Sequence, residues 1–213
     1  MRRDNRHNNI KGLREGKSVV IIGGGTSLKG FDFSKLDKEF TIAINHAIEH
    51  YSKANCLLFG DKIFLHKYNR DKFNFDEYKG LIFARDTCKG SEPFQSWGDR
   101  DNVYFFEGYR DEPIMNPKKG LFHPTSSGFM AMSLALQMKA RRIYLLGFDY
   151  YKKNGEMHFF EDYDHHKKYE EYKLERKLAK VRKFEKYAGR FINCNPKSKI
   201  EIFKKIHWSE IWQ

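Results

Sequence analysis

The amino-acid sequence predicts an α/β domain built on a mostly parallel sheet. Three observations carry that prediction. Short apolar runs rich in β-branched and aromatic residues recur along the chain, at Ser18–Ile22, Phe40–Ile44, Asn55–Phe59, Leu81–Ala84, Val103–Phe106 and Arg142–Gly147. Segments long enough to hold helices separate them, which is the spacing of βαβ units. Polar residues and glycines follow the runs, at Gly24 and Thr26, Asn45, Asp61, and Arg85 with Asp86. In open α/β sheets, ligands bind outside the carboxyl ends of the strands, so one edge of this sheet collects the makings of a site.

The totals are consistent with one domain. The chain has 213 residues, 40% hydrophobic and 32% charged, enough length for a sizeable core and too much apolar content for global disorder. No apolar run approaches the roughly 20 residues that span a bilayer. The opening Met1-Arg-Arg-Asp-Asn-Arg6 lacks an apolar signal region, so a cytoplasmic location is expected. Cys56, Cys88 and Cys194 form no CxxC pair, which indicates neither a zinc site nor a disulfide framework. Net charge is +12. Such a balance favours an anionic partner (nucleic acid, a phosphorylated glycan or anionic lipid) or else marks a Lys-rich solvated surface.

Taken in order, residues 1–17 carry six Lys/Arg against two acids without periodicity and read as a flexible basic arm, leaving 18–213 as the domain. Strand one, Ser18–Ile22, is a buried β-branched run that enters Gly23-Gly-Gly25, Thr26 and Ser27. Glycines there permit a sharp turn and close approach of a ligand, and free N–H groups suit a phosphate. Around the fifth strand, residues 86–124 hold Pro93, Pro113, Pro117 and Trp97 and read as a long irregular excursion. Ser126–Lys139 is the strongest helix, apolar nearly all round, with Ser126 or Ser127 as its N-cap. Its N-terminus offers a second anion-binding point. Arg142–Gly147 is the clearest strand after the first. A polar, aromatic segment around 150–168 then carries His158, His165 and His166 and reads as a lid. Lys167–Ala188 is a long helix with one apolar stripe, Leu174, Leu178, Val181, Phe184 and Ala188, and nine Lys/Arg between Lys167 and Lys186. A last strand, Arg190–Cys194, precedes an amphipathic tail.

The glycine loop alone is a weak signal. It is not GxGxxG, no acid ends the second strand, and no Gly-Lys-Ser/Thr follows, which disfavours a redox dinucleotide site or a P-loop kinase. Four motifs in order are more specific. They are Gly23-x-Gly25-x-Ser27-Leu28, Asn45 at the end of the second strand, Ser126-Ser127-Gly128 opening an apolar helix, and Ile143-Tyr-Leu-x-Gly147-x-Asp149-x-Tyr151. In these the chain resembles the bacterial oligosaccharide sialyltransferases that use a CMP-sugar donor. It is also similar to a wider set of sialyltransferase-like and hydroxymethylpterin-pyrophosphokinase-like domains, often found in phage and in cell-surface-glycan loci. The resemblance covers most of residues 18–196.

The resemblance implies a single Rossmann-like domain, a GT-A-like variant with a lid, and inverting, metal-free transfer from a nucleotide sugar, with no other cofactor. Gly24, Gly25, Thr26, Asn45, Asp61, Ser126, Ser127 and Gly128 would lie about the nucleotide, with Gly147, Phe148 and Asp149 at the base or ribose. Tyr151 matches a tyrosine that bonds the leaving phosphate, a second such tyrosine falls near His158, and the general base falls at His165 or His166. The family's arginine before Thr-Ser-Gly is Pro124 here and its asparagine at the third strand end is Gly60-Asp61, so the donor sugar is left open. The chemistry is coherent: transfer needs the departing phosphate charge neutralised and an acceptor hydroxyl deprotonated. Helix N–H groups, Ser126, Ser127, Tyr151 and protonated His158 suit the first, and a histidine titrating near neutrality suits the second. A glycan acceptor follows, with DNA as a second candidate from the basic arm and basic helix. Oligomers are compatible with this reading. Two competitors stand beside it: a Mg²⁺-dependent diphosphokinase of the hydroxymethylpterin type, with Asp61, Asp86 or Asp149 on the metal, and a nucleic-acid-binding module on a transferase-like fold.

Overall fold

A computed structural model describes residues 10–91, 100–109, 112–113, 120–122, 126–160 and 171–213. Ten strands and three α-helices occur among them: β1 Ser18–Ile22, β2 Thr41–Ile44, β3 Cys56–Phe59, α1 Lys62–Lys67, β4 Leu81–Arg85, β5 Val103–Phe106, β6 Gly108–Tyr109, β7 Leu121–Phe122, α2 Ser127–Gln137, β8 Arg142–Leu146, α3 Glu171–Val181, β9 Phe191–Asn193 and β10 Lys204–Lys205. Eight strands make one sheet in the order β10-β9-β8-β1-β2-β3-β4-β5, and every neighbouring pair is parallel. This is the expected α/β class with its parallel sheet.

The apolar runs explain the sheet. β2 and β3 are buried throughout, as strands covered on both faces must be. The pleat sends alternate residues to opposite faces. In β1, Val19 and Ile21 enter the core beneath α2, with Phe129, Leu134 and Phe184. Val20 and Ile22 enter a second core on the other face, with Phe64, Phe75 and Trp212. Strand order reverses next to β1: β2 to β5 run outward on one side, and the chain then returns to add β8 on the other. The crevice above that reversal is where such sheets bind ligands.

α2 is buried almost all round, as its composition predicts. Ser126 caps it, its Oγ accepting the Gly128 N–H at 3.2 Å. The predicted long basic helix is α-helical over Glu171–Val181 and continues as 3-10 helix over Arg182–Arg190, burying Leu174, Val181 and Phe184; residues 167–170 lie outside the described residues. β10 and the β6–β7 pair were not predicted, being two-residue strands with no pattern to read. Among the described residues no helix is long and apolar enough to cross a membrane.

The expected basic arm needs correction over its second half; residues 1–9 lie outside the described residues. Ile10 is 1% exposed and joins the core. The N–H of Arg14 donates to the Met138 carbonyl at 2.9 Å, that of Arg141 donates to the Lys17 carbonyl at 2.8 Å, and Glu15 bridges Ala140. One apolar residue in a charged run gave too little periodicity to reveal this docking on the C-terminal end of α2. Ile10→Ala should lower the free energy of unfolding by about 2–4 kcal/mol, read from urea denaturation followed by circular dichroism.

Candidate functional site

The carboxyl ends of β8, β1, β2, β3 and β4 open into a cleft of about 420 Å³. Strands sit about 4.8 Å apart, so five adjacent ends span about 19 Å, an elongated trough rather than a round hole. Its volume is within the range of small-molecule sites.

The floor is the turn after β1. The Gly23 N–H donates to the Leu146 carbonyl at 2.8 Å and the Gly25 N–H to the Gly147 carbonyl at 2.9 Å, continuing the β1–β8 ladder. The Ser27 N–H donates to Asp149 Oδ2 at 2.7 Å. The Gly23, Gly25 and Ser27 N–H groups are therefore committed within the protein and are not among the free N–H groups the loop was expected to offer a phosphate. The glycines are required by the protein's own close packing. A Cβ on Gly23 would stand 2.8 Å from the Gly147 carbonyl oxygen, one on Gly24 would stand 2.5 Å from His158 Nδ1, and one on Gly25 would stand 2.5 Å from the Asp149 carboxyl carbon. Gly147 itself takes a left-handed φ of +68° to make this approach.

Asp149, 2% exposed, holds the floor together. Its carboxylate accepts from Ser27 Oγ at 2.5 Å and Asn195 Nδ2 at 2.9 Å, with Thr26 Oγ1 at 3.4 Å. Thr26 consequently faces Asp149 and is absent from the cleft lining. The predicted residues Gly24, Gly25, Asn45, Asp61, Ser126, Ser127, Gly128, Gly147, Phe148, Asp149, Tyr151 and His158 all line the cleft. His165 and His166 lie outside the described residues.

Each wall has a local cause. α2 presents its N-terminus, with Ser126 and Ser127, and contributes the positive end of an 11-residue helix. Gly128 leaves room there for Phe148, whose ring would be 3.1 Å from a Cβ at that position. Asn45 has a left-handed φ of 50°, and its buried Oδ1 has no hydrogen-bond partner among the described residues. Asp61 caps α1 by accepting the Phe64 N–H at 3.2 Å. Tyr151 reaches toward Asn195, 3.4 Å from its hydroxyl.

Arg85, noted in the sequence as a polar residue after a strand, also lines the cleft, as do three residues that sequence reasoning passed over: His46, Lys177 and Phe160. Arg85 ends β4, and its buried Nε has no partner among the described residues. His46 follows Asn45 directly. Lys177 lies three residues after Leu174, beside the apolar stripe of α3, where its charge concealed its direction. The lining carries two basic residues, Arg85 and Lys177, and two carboxylates, Asp61 held by the Phe64 N–H and Asp149 held by Ser27 and Asn195.

His158 and Phe160 form the outer wall. The Phe159 N–H donates to the Gly24 carbonyl at 2.9 Å. The His158 ring stacks on Phe160 at 5.1 Å and 9°, and His50 stacks on Phe160 at 5.7 Å and 20°. Burial lowers the His158 pKa from 6.5 to about 4. It is neutral at pH 7, which corrects the expectation of a protonated His158 beside a departing phosphate. Burial also raises the thiols, Cys88 to about 11 and Cys194 to about 12, so neither is a thiolate nucleophile. Asp86 pairs with Lys89 at 3.0 Å and is absent from the lining. Among the described residues no group of three or more His, Cys, Asp or Glu gathers as a metal site.

No protein-family model matches this sequence, and no curated protein matches it. Solved structures do match in fold. The sialyltransferase CST-II in complex with a trisaccharide acceptor and CMP has a TM-score of 0.55 and 19% identity over 90% of this chain and 86% of that one. The sialyltransferase CstII from Campylobacter jejuni in complex with the substrate analogue CMP-3FNeuAc has a TM-score of 0.54 and 20% identity, with the same shares covered. The chain therefore has a sialyltransferase-like fold.

Two outcomes test this geometry. Gly25→Ala should cost about 1–3 kcal/mol of stability, because the added methyl meets a backbone carbonyl and a fixed carboxylate; thermal unfolding reads it. The His158 pKa lies lower in the folded than in the unfolded chain, so the folded state binds fewer protons between about 4 and 6.5. Its contribution to stability is complete above 6.5 and lost as pH falls toward 4, by about 3 kcal/mol at most. His158→Phe should flatten that part of the pH–stability curve.

Proposed function

We propose that the protein is a glycosyltransferase that takes a sugar from a nucleotide-sugar donor, of the CMP-sugar type, and transfers it to a glycan hydroxyl. The observation that carries this reading is the trough at the strand-order reversal. It is lined by Arg85 and Lys177 as well as Asp61 and Asp149, bordered by a helix N-terminus, and set in a fold shared with two solved sialyltransferase structures, one holding CMP and a trisaccharide acceptor and the other CMP-3FNeuAc. The elongated outline suits a ligand of two parts, nucleotide and sugar.

In this reading the N–H groups and hydroxyls of Ser126 and Ser127 receive the phosphate, since the Gly23, Gly25 and Ser27 N–H groups are committed within the protein. Tyr151 and Lys177 complete the neutralisation of the charge that develops on the leaving group. Gly147 and Phe148 flank the nucleoside, and Asn45 and Arg85 read polar groups toward the β4 end. The acceptor hydroxyl needs a base. The resemblance assigns it to His165 or His166, while the described cleft holds His46 and His158. The diphosphokinase alternative has less support, because Asp86 is paired with Lys89 and Asp149 with Ser27 and Asn195.

CMP should raise the melting temperature more than UMP, GMP or AMP does. The protein should hydrolyse or transfer from at least one nucleotide sugar in the presence of EDTA. Absence of any nucleotide-dependent shift together with inertness toward a full donor panel would overturn the proposal, and strict Mg²⁺ dependence with ATP would favour diphosphate transfer.

A further inference from the structure

The cleft holds one cation that the carboxylates around it do not answer. Arg85 closes β4, its backbone held in register opposite Phe106 of β5. Alternate residues of a strand face opposite sides of the sheet. Ile82 and Ala84 enter the core on the side away from α2, and Phe83 enters the core beneath α2. Arg85, two residues after Phe83, therefore lies on the α2 side, where it is half-buried and lines the trough. Its Nε is closed off from solvent and has no hydrogen-bond partner among the described residues. Two carboxylates stand nearby, one on the next residue and one at the neighbouring strand end, and both are engaged elsewhere. Asp86 pairs with Lys89 at 3.0 Å, and Asp61 accepts the Phe64 N–H at 3.2 Å. Among the described residues Arg85 forms no ion pair.

A guanidinium keeps its charge at any pH a folded protein meets. Taking it partly out of water without a counter-charge costs stability. A neutral polar ligand could be read by an amide side chain without that cost. What arginine adds is a planar fork that matches a carboxylate or phosphate through two parallel N–H donors. With Nε closed off, the fork is the pair of terminal nitrogens. Position along the trough decides whose anion it meets. The first turn of α2, which receives the donor phosphate in the reading above, lies against Phe148 at the β8 end. β4 is four strands away from β8, about 19 Å along the sheet, too far to share that phosphate. The donor sugar is joined directly to the phosphate and falls over the intervening strand ends, with Asn45 and Asp61. The β4 end is left to the molecule that receives the sugar.

We propose that Arg85 is the receptor for an anionic group on the acceptor, so that the glycan extended in this trough is an acidic one. The group is a carboxylate, as on a uronic acid, or a phosphate ester; both present the oxyanion edge that the fork fits. Arg85 is then a specificity residue. It holds the acceptor by a group remote from the attacking hydroxyl and takes no proton in the transfer. The assignment to the acceptor rests on the glycosyltransferase reading, whereas the preference for an anionic glycan is measurable without turnover.

The experiment offers full-length wild type and Arg85→Gln two matched pairs of trisaccharides: one ending in a uronic acid against its methyl ester, and one ending in a phosphorylated sugar against its unphosphorylated form. Calorimetric titration in the presence of CMP reads binding, and kcat/KM with the best donor of the panel reads transfer. In at least one pair the anionic member should bind wild type about 10- to 100-fold more tightly than its neutral counterpart, the scale of a charge-assisted pair. The same ratio should appear in kcat/KM, through the acceptor KM. The pair with the larger ratio identifies the group as carboxylate or phosphate. In Arg85→Gln the ratio should fall to within about threefold of unity. A wild type that prefers neither anionic member overturns the inference, as does a ratio unchanged in Arg85→Gln or an effect of that substitution confined to the donor KM. If Arg85→Gln does not fold, Arg85→Lys decides: it keeps the charge without the fork, so the ratio should drop at least about threefold, and an unchanged ratio overturns the inference. If wild type transfers from no donor and binds no nucleotide, the glycosyltransferase reading fails instead. The calorimetric ratio then judges Arg85 alone: a preference lost in Arg85→Gln upholds an anionic-glycan site there, and its absence removes it.

Discussion

Everything at the mouth of the sheet depends on one buried carboxylate. Asp149 leaves β8 and meets the Ser27 N–H and hydroxyl from the turn after β1, the Thr26 hydroxyl, and the Asn195 amide from the turn after β9. A charge at 2% exposure is tolerable only with such charge-assisted donors around it. It is the clasp that keeps three adjacent strand ends in one plane, and Gly25 is glycine because the carboxyl group occupies the space of a side chain. Asn193 repeats the device one layer deeper, donating to the Phe148 carbonyl at 3.0 Å and to Ser198 Oγ at 2.9 Å. With these ties in place the floor is rigid, and recognition passes to the walls: α2, the turn after β2, the end of β4 and the 157–160 segment.

The walls differ in character. The α2 side offers a dipole and hydroxyls on a helix locked in the core, a fixed anion site. The opposite side is aromatic, with Phe160 stacked on His158 and His50 and hung from the Gly24 carbonyl by its neighbour Phe159. Stacks of this kind contribute roughly 0.5–1.5 kcal/mol each beyond burial, weaker ties than the main-chain ladder that holds the floor.

The strands were legible because burial on both faces forces continuous apolar runs, and β1, β5 and β8 lie where those runs lie. α2 was legible from its cap and its lack of charge. The polar residues that follow strands led to most of the cleft. What escaped reading was non-local. Nothing near Gly24 announces that His158, far along the chain, will lie against it, nor that the N–H groups of Gly23 and Gly25 will be spent on β8. The docking of Ile10 on α2 and the two-residue β10 are set by tertiary contact rather than by local pattern. Lys177 was hidden for a related reason: a charged residue beside an apolar stripe reads as surface until a cavity is found beneath it.

The strand order has a consequence for how the chain reaches this state. β1 lies at the centre of the sheet, yet its partner β8 is more than a hundred residues downstream. As the chain emerges during synthesis, β1 to β5 can assemble progressively, while the other edge of β1 keeps a row of unmatched backbone groups until residues 142–146 arrive. Pairings across so long a loop form late because closure entropy precedes the reward. The binding floor, shared between the ends of β1 and β8, is therefore completed only in the last stage of folding, and no N-terminal fragment of the chain can hold it.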